Sequence, residues 1–244
     1  MIELEHLGKR YGDFTAVHDL SFAVGAGGVM GLVGPNGAGK TTTLRCLSGI
    51  IPATTGHARI GGVDVAADPV AAKRQLAFIP DEPRLFDHLT VEQHLNFVAR
   101  LYGVADWRER AQPLLDELEM GDKRRLLPAE LSRGMKQKLA IACGLLHAPR
   151  AVILDEPLTG LDPYGIRRMK DTMRRLAGEG AAIILSSHLL DLVEEVCTHL
   201  LILKDGRKLA DGTVAQVRER YAADGAASLE DVFFRATGEA ETRA

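Results

Sequence analysis

Apolar and polar positions in the first third of the chain follow the spacing of short strands. Three apolar runs separated by glycine-rich turns fit this pattern, at residues 2–7, 17–24 and 29–33. Gly61 and Gly62 form a typical two-residue hairpin turn between two further short runs. We therefore predict a β-rich N-terminal region.

The apolar spacing changes to a helical period in the middle of the chain. Thr90 and Gln93 are spaced as a capping box, which predicts the start of a helix. A second helix is predicted over residues 106–119. The first helix has one apolar stripe before Gly103, formed by Val91, Leu95, Val98 and Leu101.

From residue 151 onward, apolar strands alternate with helices. Residues 151–154 and 181–185 are strand-like runs without a polar residue, and Asp162 and Pro163 are typical of a helix start between them. Uninterrupted apolar strands that alternate with helices indicate a buried, mostly parallel sheet, which is an α/β fold. The inner face of the intervening helix is predicted to hold Ile166, Met169, Met173 and Leu176.

The C-terminal part of the chain predicts two smaller elements. Residues 200–204, followed by Asp205 and Gly206, indicate a hairpin at the edge of the sheet. Ser228 is expected to cap a last short helix, which leads into a polar tail over residues 238–244.

Composition and charge exclude several classes of protein. The chain has 244 residues, of which 46% are apolar and 26% are charged, and these values are typical of a globular protein. Disordered chains and coiled-coil rods are therefore excluded. The net charge of −3 provides no basic patch for nucleic acid or anionic lipid.

Neither a membrane segment nor an export signal is recognisable in the sequence. No apolar run approaches the roughly 18 residues that span a bilayer. Residues 1–6 lack the apolar core of a signal peptide, so we expect a cytoplasmic location. The three cysteines, Cys46, Cys143 and Cys197, lie among apolar neighbours and are expected to be reduced core residues.

Residues 34–41 match the pattern G-x-x-x-x-G-K-[ST] between a predicted strand and a predicted helix. Glycines allow the backbone amides of such a loop to curl around an anion, and the helix N-terminus adds its dipole. Lys40 is expected to reach the β- and γ-phosphates of a nucleotide, and the Thr41 hydroxyl to bind Mg²⁺. A glycine-rich turn with a solvated lysine is the alternative. The predicted phosphate-binding residues are Gly34, Pro35, Asn36, Gly37, Ala38, Gly39, Lys40, Thr41 and Thr42.

Two further apolar strands end in side chains that can take part in chemistry. Asp155 and Glu156 follow residues 151–154, and α/β sheets bind ligands at the carboxyl ends of their strands. Asp155 suits the surroundings of Mg²⁺, and Glu156 suits a base or water-orienting group beside the γ-phosphate. His188 follows residues 181–185 and is expected at the same edge, in contact with the γ-phosphate. Together with Lys40, these residues predict an enzyme that hydrolyses a nucleoside triphosphate.

A second potential anion site lies at the start of another predicted helix. Ser132 and Gly134 open this helix, and a helix N-terminus favours a negative charge. An ordinary serine cap is the alternative. The apolar face of the helix is formed by Leu139, Ala142, Cys143 and Leu146.

With these motifs in this order, the chain resembles the ATP-binding subunits of ABC (ATP-binding cassette) transporters. Residues 131–137 and 229–233 are most similar to the exporter-type branch, the ABC-2 drug and lipid exporters. The motifs that carry the resemblance are the Walker A loop (34–41), the signature motif (131–135), the Walker B strand (152–156), the D-loop (158–162), the switch histidine (His188) and an aromatic residue that stacks on adenine (Tyr11).

The resemblance implies a P-loop NTPase fold with a RecA-like, mostly parallel sheet and an N-terminal antiparallel β subdomain. Residues 1–227 would form a single nucleotide-binding domain, with a helical subdomain inserted at about 85–148. Residues 228–244 would form a short C-terminal helix and a polar tail.

The resemblance also implies a mechanism and partners. Two subunits, either identical copies or two different chains, would close head to tail around two MgATP, with Ser132 and Gly134 of one subunit contacting ATP held by the other. Hydrolysis by an ATPase of this type would drive a separate membrane permease, and the branch implies an exporter. The chain would then lie on the cytoplasmic face of the membrane and touch it only through the permease.

Three positions depart from the family pattern. After residues 76–79 the family usually carries glutamine, whereas this chain has Asp81. Asp81 is a further candidate Mg²⁺ ligand, and a solvated acidic turn with Glu82 is the alternative. In the signature motif Arg133 replaces a glycine and Met135 a glutamine. Arg133 is either an added cation near the opposite γ-phosphate or a solvent-facing residue.

Two other functions are alternatives to transport. A soluble ABC ATPase that acts on a nucleoprotein or ribosomal target would need no permease. Such proteins usually have tandem cassettes or long coiled-coil insertions, and neither is present in this sequence. A small-molecule kinase that uses the phosphate loop would leave the D-loop and the Ser132 region unexplained. The transported substrate is not predicted, because it would contact the permease.

Overall fold

The computed structural model describes residues 1–221 and 228–238. Its strands are β1 (Ile2–Tyr11), β2 (Phe14–Val24), β3 (Val29–Val33), β4 (Thr55–Ile60), β5 (Val63–Asp64), β6 (Leu76–Ile79), β7 (Ala151–Asp155), β8 (Ala182–Ser186), β9 (His199–Lys204) and β10 (Arg207–Thr213). Its helices are α1 (Lys40–Leu47), α2 (Pro69–Arg74), α3 (Val91–Tyr102), α4 (Trp107–Glu117), α5 (Arg133–Leu145), α6 (Pro163–Gly178), α7 (Leu190–Val196), α8 (Val214–Tyr221) and α9 (Leu229–Thr237). Two short 3₁₀ turns, Gly121–Lys123 and Pro128–Glu130, lie between α4 and α5.

Two sheets organise these strands. The first is antiparallel and has the order β2-β1-β4-β5. The second has the order β10-β9-β3-β8-β7-β6, and its neighbouring strands are parallel except for β9 and β10. Because β3, β8 and β7 are adjacent and parallel, their carboxyl ends lie side by side. The predicted α/β fold, with a mostly parallel sheet and an antiparallel N-terminal region, is confirmed.

Both faces of the parallel sheet are buried. In β7, Val152 and Leu154 belong to one apolar core, whereas Ala151 and Ile153 belong to the other. Successive side chains of a strand point to opposite faces, so one strand supplies both cores. One core lies against the antiparallel sheet and α1, and the other lies against helices that include α5, α6 and α7. This double burial explains why these strands are continuous apolar runs in the sequence.

Three local predictions are confirmed. Gly61 and Gly62 both have positive φ and join β4 to β5, with Ile60 opposite Val63. The Thr90 hydroxyl accepts from the Gln93 amide, and the Gln93 side chain accepts from the Thr90 amide. The predicted edge hairpin is formed by β9 and β10. In each case the signal is local in sequence.

The first hairpin is longer than predicted. The apolar pattern predicts strands at residues 2–7 and 17–24, but β1 continues to Tyr11 and β2 begins at Phe14, which pair with each other. Register shifts occur along this pair of strands, and such bulges interrupt the period-two alternation by which a strand is recognised in sequence. The apolar pattern alone therefore predicts only the central part of each strand.

Other boundaries differ by one or two residues. The helix predicted over 106–119 ends at Glu117, because Glu119 adopts a φ of +56° and the Met120 amide donates to the Leu115 carbonyl at 2.7 Å. A left-handed residue with such a bond is a common helix stop. The strand predicted over 181–185 spans Ala182–Ser186 instead.

The segment between β6 and β7 holds α3, α4 and α5, which pack on one another, and α5 also packs on β6. Its interior joins the core on that face of the sheet. On α6, Met169, Met173 and Leu176 are buried as predicted, whereas Ile166 is partly buried. Within residues 1–221 and 228–238, no helix has the length and apolar character needed to cross a membrane.

The last helix, α9, packs on α7, α8 and the β9–β10 hairpin. Ser228 caps it, with the hydroxyl oxygen accepting from the Asp231 amide at 3.1 Å, as predicted. Leu229 and Val232 are buried in the same core as α6 and α7. Of the predicted polar tail only Gly238 falls within the described residues.

Packing around β3 generates a first prediction. A Cβ added to Gly31 would lie 2.4 Å from Cγ1 of Val193 and 3.2 Å from Sγ of Cys197. Gly31→Ala is expected to lower the free energy of unfolding by about 1–3 kcal/mol through overpacking, measured by urea denaturation.

Gly178→Ala is the matched control for this prediction. An added Cβ at Gly178, at the end of α6, meets no atom within 4 Å, so the change is expected to be neutral or stabilising by up to about 1 kcal/mol. Equal stabilities of the two variants would contradict the packing described around β3.

Candidate functional site

The loop between β3 and α1 is held close to neighbouring backbone. Gly39 has a φ of +97°, and a Cβ there would lie 2.7 Å from the carbonyl oxygen of Ala16 in β2. Only glycine fits this conformation and spacing without strain. Gly39 is also the N-cap of α1, where no side chain accepts from the first turn. The backbone amides at this helix end are therefore available to an anion.

The predicted phosphate-binding residues are contiguous on this loop and on the first turn of α1. The loop supplies backbone amides, and the helix supplies the side chains of Lys40 and Thr41. The residues placed in this way are Gly34, Pro35, Asn36, Gly37, Ala38, Gly39, Lys40, Thr41 and Thr42.

Lys40 places its ammonium group over the loop. Its Nζ donates to the carbonyl oxygens of Gly34 at 2.5 Å and Pro35 at 3.1 Å. Burial lowers the pKa of Lys40 below the ordinary lysine value, whereas the negative charges of Glu156 and Asp155 raise it. The lysine is therefore a partly buried cation in the field of the two strand-end carboxylates.

Asp155 ends β7 beside the first turn of α1. Its Oδ1 lies 3.5 Å from the hydroxyl oxygen of Thr41 and accepts from the hydroxyl of Ser186 at 2.6 Å. Asp155 and Ser186 are opposite each other in the β7–β8 register. The parallel sheet therefore brings the Asp155 carboxylate to the phosphate loop.

Glu156 and His188 form a second pair at the same edge. The carboxylate Oε2 of Glu156 lies 2.8 Å from Nδ1 of His188, and it also accepts from the His188 backbone amide at 3.4 Å. Glu156 has a φ of +50°, which turns the chain sharply at the end of β7. The side chain of Glu156 is about one-fifth exposed, so the carboxylate is sheltered but reachable from solvent.

Ser186 has a positioning role that sequence reasoning missed. Its hydroxyl donates to Asp155, and the same oxygen accepts from the backbone amide of Glu156 at 3.2 Å. Ser186 is fully buried, so it holds both acidic residues with one side chain. A polar residue at the end of an apolar strand is the signal that could have found it.

Tyr11 lies at the turn of the first hairpin, opposite Phe14 in the antiparallel sheet. Its ring is about half exposed, and Nζ of Lys9 is 4.9 Å from the ring centre. The structure thus places Tyr11 on the β-rich region rather than on the parallel strands that carry Asp155 and Glu156.

Ser132 and Gly134 lie at the N-terminus of α5, next to the D-loop of the same chain. The Ser132 hydroxyl accepts from the Met135 amide at 3.2 Å. A Cβ on Gly134 would lie 2.6 Å from the carbonyl oxygen of Gly160. In the part of the chain that the structure describes, Ser132 and Gly134 are not among the residues that line the cleft holding Thr41 and Asp155.

This cleft has a volume of about 880 Å³ and runs from the phosphate site towards α3. Thr41, Asp155 and Asp81 line its polar end. The apolar part is lined by side chains that are about half exposed or more: Ile50, Phe86, Phe97 and Leu101. Among described residues, these side chains form an accessible apolar wall beside the phosphate site.

Asp81 and Arg133, two of the departures from the family pattern, contact each other. Oδ1 of Asp81 lies 3.4 Å from Nη2 of Arg133. Both side chains remain partly exposed. Neither sequence interpretation of Arg133 anticipates this pairing.

The oxygen atoms of Thr41 and Asp155 fit Mg²⁺. Hydroxyl and carboxylate oxygens are the hard ligands that this ion takes, and Mg²⁺ usually keeps waters and substrate phosphates as its other ligands. Within residues 1–221 and 228–238, no group of three or more histidine, cysteine or acidic residues could hold a metal by itself. The site therefore fits an ion that arrives with a nucleotide rather than one in a closed protein cage.

Fold and site together define a P-loop nucleoside triphosphatase: a phosphate loop between a parallel strand and a helix, with acidic residues at the end of a neighbouring strand. The family model described as "ABC transporter" matches residues 17–159. The chain belongs to the ABC transporter family, and it is an ATP-binding, ATP-hydrolysing subunit of that family. Such subunits work with membrane permeases and generally as dimers.

Named relatives and a solved structure agree with this assignment. The chain is 34% identical over 241 residues to the ABC-type transporter ATP-binding protein EcsA of Bacillus subtilis (strain 168), covering 98% of this chain and 97% of that protein. It is 37% identical over 213 residues to the Nod factor export ATP-binding protein I of Paraburkholderia xenovorans (strain LB400), covering 86% of this chain and 70% of that protein. A solved ATP-binding subunit of an ABC transporter superposes with a TM-score of 0.92 at 36% identity, covering 97% of this chain and 99% of that one. The predicted family and fold are confirmed.

Burial of His147 in the cleft wall generates a pH prediction. Its ring stacks on Tyr102 with centres 3.9 Å apart, and burial lowers the pKa of His147 to about 4. Between pH 4 and 6.5 the unfolded state therefore binds more protons than the folded state, so stability falls as the pH is lowered through this window.

Replacing His147 with phenylalanine keeps an aromatic ring against Tyr102 and removes this titration. The free energy of unfolding is measured by urea denaturation at pH 7 and at pH 4. Between these two pH values the wild type is expected to lose about 1–2 kcal/mol more of it than His147→Phe, after allowance for the partial exposure of His147. His88→Phe, at an exposed histidine, should keep the wild-type dependence. Equal losses in wild type and His147→Phe would contradict a neutral, partly buried His147.

Proposed function

We propose that this chain binds MgATP at the edge formed by β3, β7 and β8 and uses its hydrolysis to drive a separate membrane permease. The observation that carries the proposal is the meeting of the Thr41 hydroxyl with the Asp155 carboxylate at 3.5 Å, beside the Lys40 ammonium. Backbone amides at a helix N-terminus, a cation and oxygen ligands for Mg²⁺ are the parts that phosphoryl transfer requires.

Binding and charge compensation fall to the loop and the first turn of α1. Backbone N–H groups of residues 34–41, apart from Pro35, which has none, would cradle the phosphates. Lys40 would exchange its bonds to the Gly34 and Pro35 carbonyls for phosphate oxygens. Thr41 and Asp155 would hold Mg²⁺, and Asp81 would be a further ligand only if it were released from Arg133. The ion supplies charge neutralisation on the phosphates during bond cleavage.

Glu156 is the proposed general base. Its carboxylate would orient a water molecule and accept its proton as the water attacks the γ-phosphate. A carboxylate can only accept a hydrogen bond, so Nδ1–H of His188 would donate to Glu156, with the two atoms 2.8 Å apart. The imidazole would then fix the direction of the carboxylate and lie within reach of the same phosphate. Ser186 holds Glu156 from the other side through the backbone amide.

A second subunit would complete the site. Ser132 and Gly134 lie at a helix N-terminus, which favours negative charge, but they are in a different part of the chain from the cleft that holds Thr41. Two subunits, identical or different, arranged head to tail would bring this helix end to the triphosphate of the other. Exclusion of water by closure would strengthen each charge contact. Tyr11 would stack on the adenine ring.

The apolar wall of the cleft is the proposed docking site for the permease. Phe97 and Leu101 lie on the outer face of α3, within the helical subdomain proposed at about 85–148, and both are substantially exposed. This subdomain would belong to one nucleotide-binding domain over 1–227, followed by the terminal segment 228–244. Export is the proposed direction, since similar proteins include a Nod factor export ATP-binding protein. The chain would sit at the cytoplasmic face of the membrane and touch it only through the permease.

The role of Glu156 gives a prediction about turnover and assembly. Glu156→Gln keeps the size of the side chain but removes the base, so ATP hydrolysis is expected to fall by about 100-fold or more. Because the γ-phosphate is not removed, MgATP is expected to hold this variant as a dimer, measured by light scattering.

Glu179→Gln, at the exposed residue that follows α6, is the matched control and should keep wild-type turnover. Lys40→Ala should lose ATP binding altogether. If Glu156→Gln stays monomeric in saturating MgATP, or retains its turnover, the proposed arrangement is wrong.

The docking surface gives a separate prediction. Phe97→Asp combined with Leu101→Asp places charges on the apolar wall, so the variant should fail to co-purify with a multi-span membrane protein after detergent extraction. Val70→Asp, at an exposed apolar position on α2 outside the cleft, should co-purify as the wild type does. Melting temperatures check that both variants fold. Ribosomal material in place of a membrane protein would point to the soluble alternative.

A further inference from the structure

Two departures from the family pattern face each other across the cleft rim. Asp81 stands where the family usually has glutamine, Arg133 stands where it usually has glycine, and their charged groups lie 3.4 Å apart. They are 52 residues apart in sequence, so the pairing is visible only in the fold. The negative charge of Asp81 and the positive charge of Arg133 therefore compensate each other.

The helix α5 is fastened to the Asp81 loop at two points one turn apart. Arg133 contacts Asp81, and the buried side chain of Gln137 donates through Nε2 to the carbonyl oxygen of Pro80 at 3.2 Å. Residues i and i+4 share a face of a helix, so both contacts come from the same side of α5. The position of the loop relative to α5 is therefore defined by a neutral and a charged contact together.

The stem of Arg133 is confined by the D-loop. A Cβ on Gly160 would lie 3.1 Å from both Cγ and Cδ of Arg133, so the aliphatic part of the arginine covers this glycine. On the next residue, Gly134 approaches the Gly160 carbonyl closely enough to exclude a side chain. The arginine therefore rests on the D-loop with its guanidinium directed to Asp81.

Asp81 lines the same cleft as Thr41 and Asp155. An additional carboxylate at this place repels a triphosphate unless a cation balances it. Because the Asp81 side chain is partly exposed, dissolved salt screens part of this repulsion. Arg133 is the cation that contacts it.

We propose that Arg133 is a positioning residue that neutralises Asp81 and draws it towards α5, which allows this chain to carry an acid beside the phosphate site. This inference rests on the proposed function, because it requires the triphosphate to occupy the cleft. It assigns Arg133 a partner within its own subunit instead of the opposite γ-phosphate, and it assigns Asp81 a role other than Mg²⁺ binding.

A double-mutant cycle tests the proposal. Arg133→Met keeps the stem that covers Gly160 and removes the charge, and Asp81→Asn removes the carboxylate at nearly constant size. The probe is ATP, titrated by calorimetry into the full chain with Mg²⁺ and, separately, with EDTA. Arg133→Met alone is expected to weaken ATP binding by about 3- to 10-fold, because Asp81 is left unbalanced. The double variant should bind within about twofold of the wild type, since neither charge remains.

Two further readouts separate charge compensation from a purely structural role. Arg133→Lys should restore most of the affinity lost in Arg133→Met. The loss of ATP affinity in Arg133→Met should become smaller as NaCl is raised towards 0.5 M, because salt screens the exposed Asp81 carboxylate. If Arg133 acted only through packing, neither the lysine substitution nor added salt would restore the affinity.

The control cycle uses Asp106 and Arg110, an exposed pair on α4 with N···O at 3.1 Å and outside the cleft wall. This control cycle should show no coupling in ATP affinity.

The proposal would be overturned if Arg133→Met weakened ATP binding equally in the wild-type chain and in the Asp81→Asn variant. That result would indicate direct contact between Arg133 and the nucleotide. Loss of the Mg²⁺ dependence of binding in Asp81→Asn alone would overturn it in favour of a metal ligand. Undiminished binding by Lys40→Ala, by contrast, would refute the phosphate site itself.

Discussion

The parallel pairing of β3, β8 and β7 is the constraint on which the candidate site depends. The strands are apolar along most of their length because both faces of the sheet are covered. β3 leads into the phosphate loop, β7 ends in Asp155, and β8 ends in Ser186. The register places Asp155 opposite Ser186. The buried Ser186 hydroxyl then donates to the Asp155 carboxylate and accepts from the backbone amide of Glu156, so it holds both acidic residues in place. A shift of one residue in this register would turn Ser186 to the other face of the sheet and separate Asp155 from Thr41.

Charge is the second theme that links these contacts. Lys40 is partly buried among the carboxylates, and its bonds to loop carbonyls keep its ammonium group at the mouth of the phosphate loop. The strand-end acids balance it, and in our account a triphosphate with Mg²⁺ joins this network of charges. In our account the Asp81–Arg133 pair is a second case of charge balance, at the rim of the cleft. There the carboxylate of Asp81, which the family pattern usually lacks, is balanced by the guanidinium of Arg133, which the pattern also lacks. The cysteines take no part, since burial raises the pKa of Cys143 and Cys197 to about 12.

Features written in a few neighbouring residues could be predicted from the sequence, and features set by distant packing could not. The phosphate loop, the Thr90 capping box and the Gly61–Gly62 hairpin are local, and apolar runs reveal the buried strands. The length of the first hairpin is underestimated because bulges interrupt the period-two alternation, while pairing continues to Tyr11 and Phe14. The role of Ser186 depends on a register between strands, and the Arg133–Asp81 contact depends on how α5 lies against a loop 52 residues earlier. A polar residue at the end of an apolar run marks Ser186, but no pattern along the chain gives its partners or the partner of Arg133.

Cysteine cross-linking between two copies tests the central claim most directly, namely that the triphosphate is held between the phosphate loop of one copy and the α5 N-terminus of another. One copy would carry Asn36→Cys and the other Ser132→Cys, both with Glu156→Gln. The native Cys46 and Cys197 thiols are buried and should stay unreactive. The partly buried Cys143, which lines the cleft, would be replaced by alanine in both copies. The account predicts a mixed disulfide that forms with MgATP and not with ADP. Formation at the same rate with either nucleotide, or no cross-link under saturating MgATP, would contradict it.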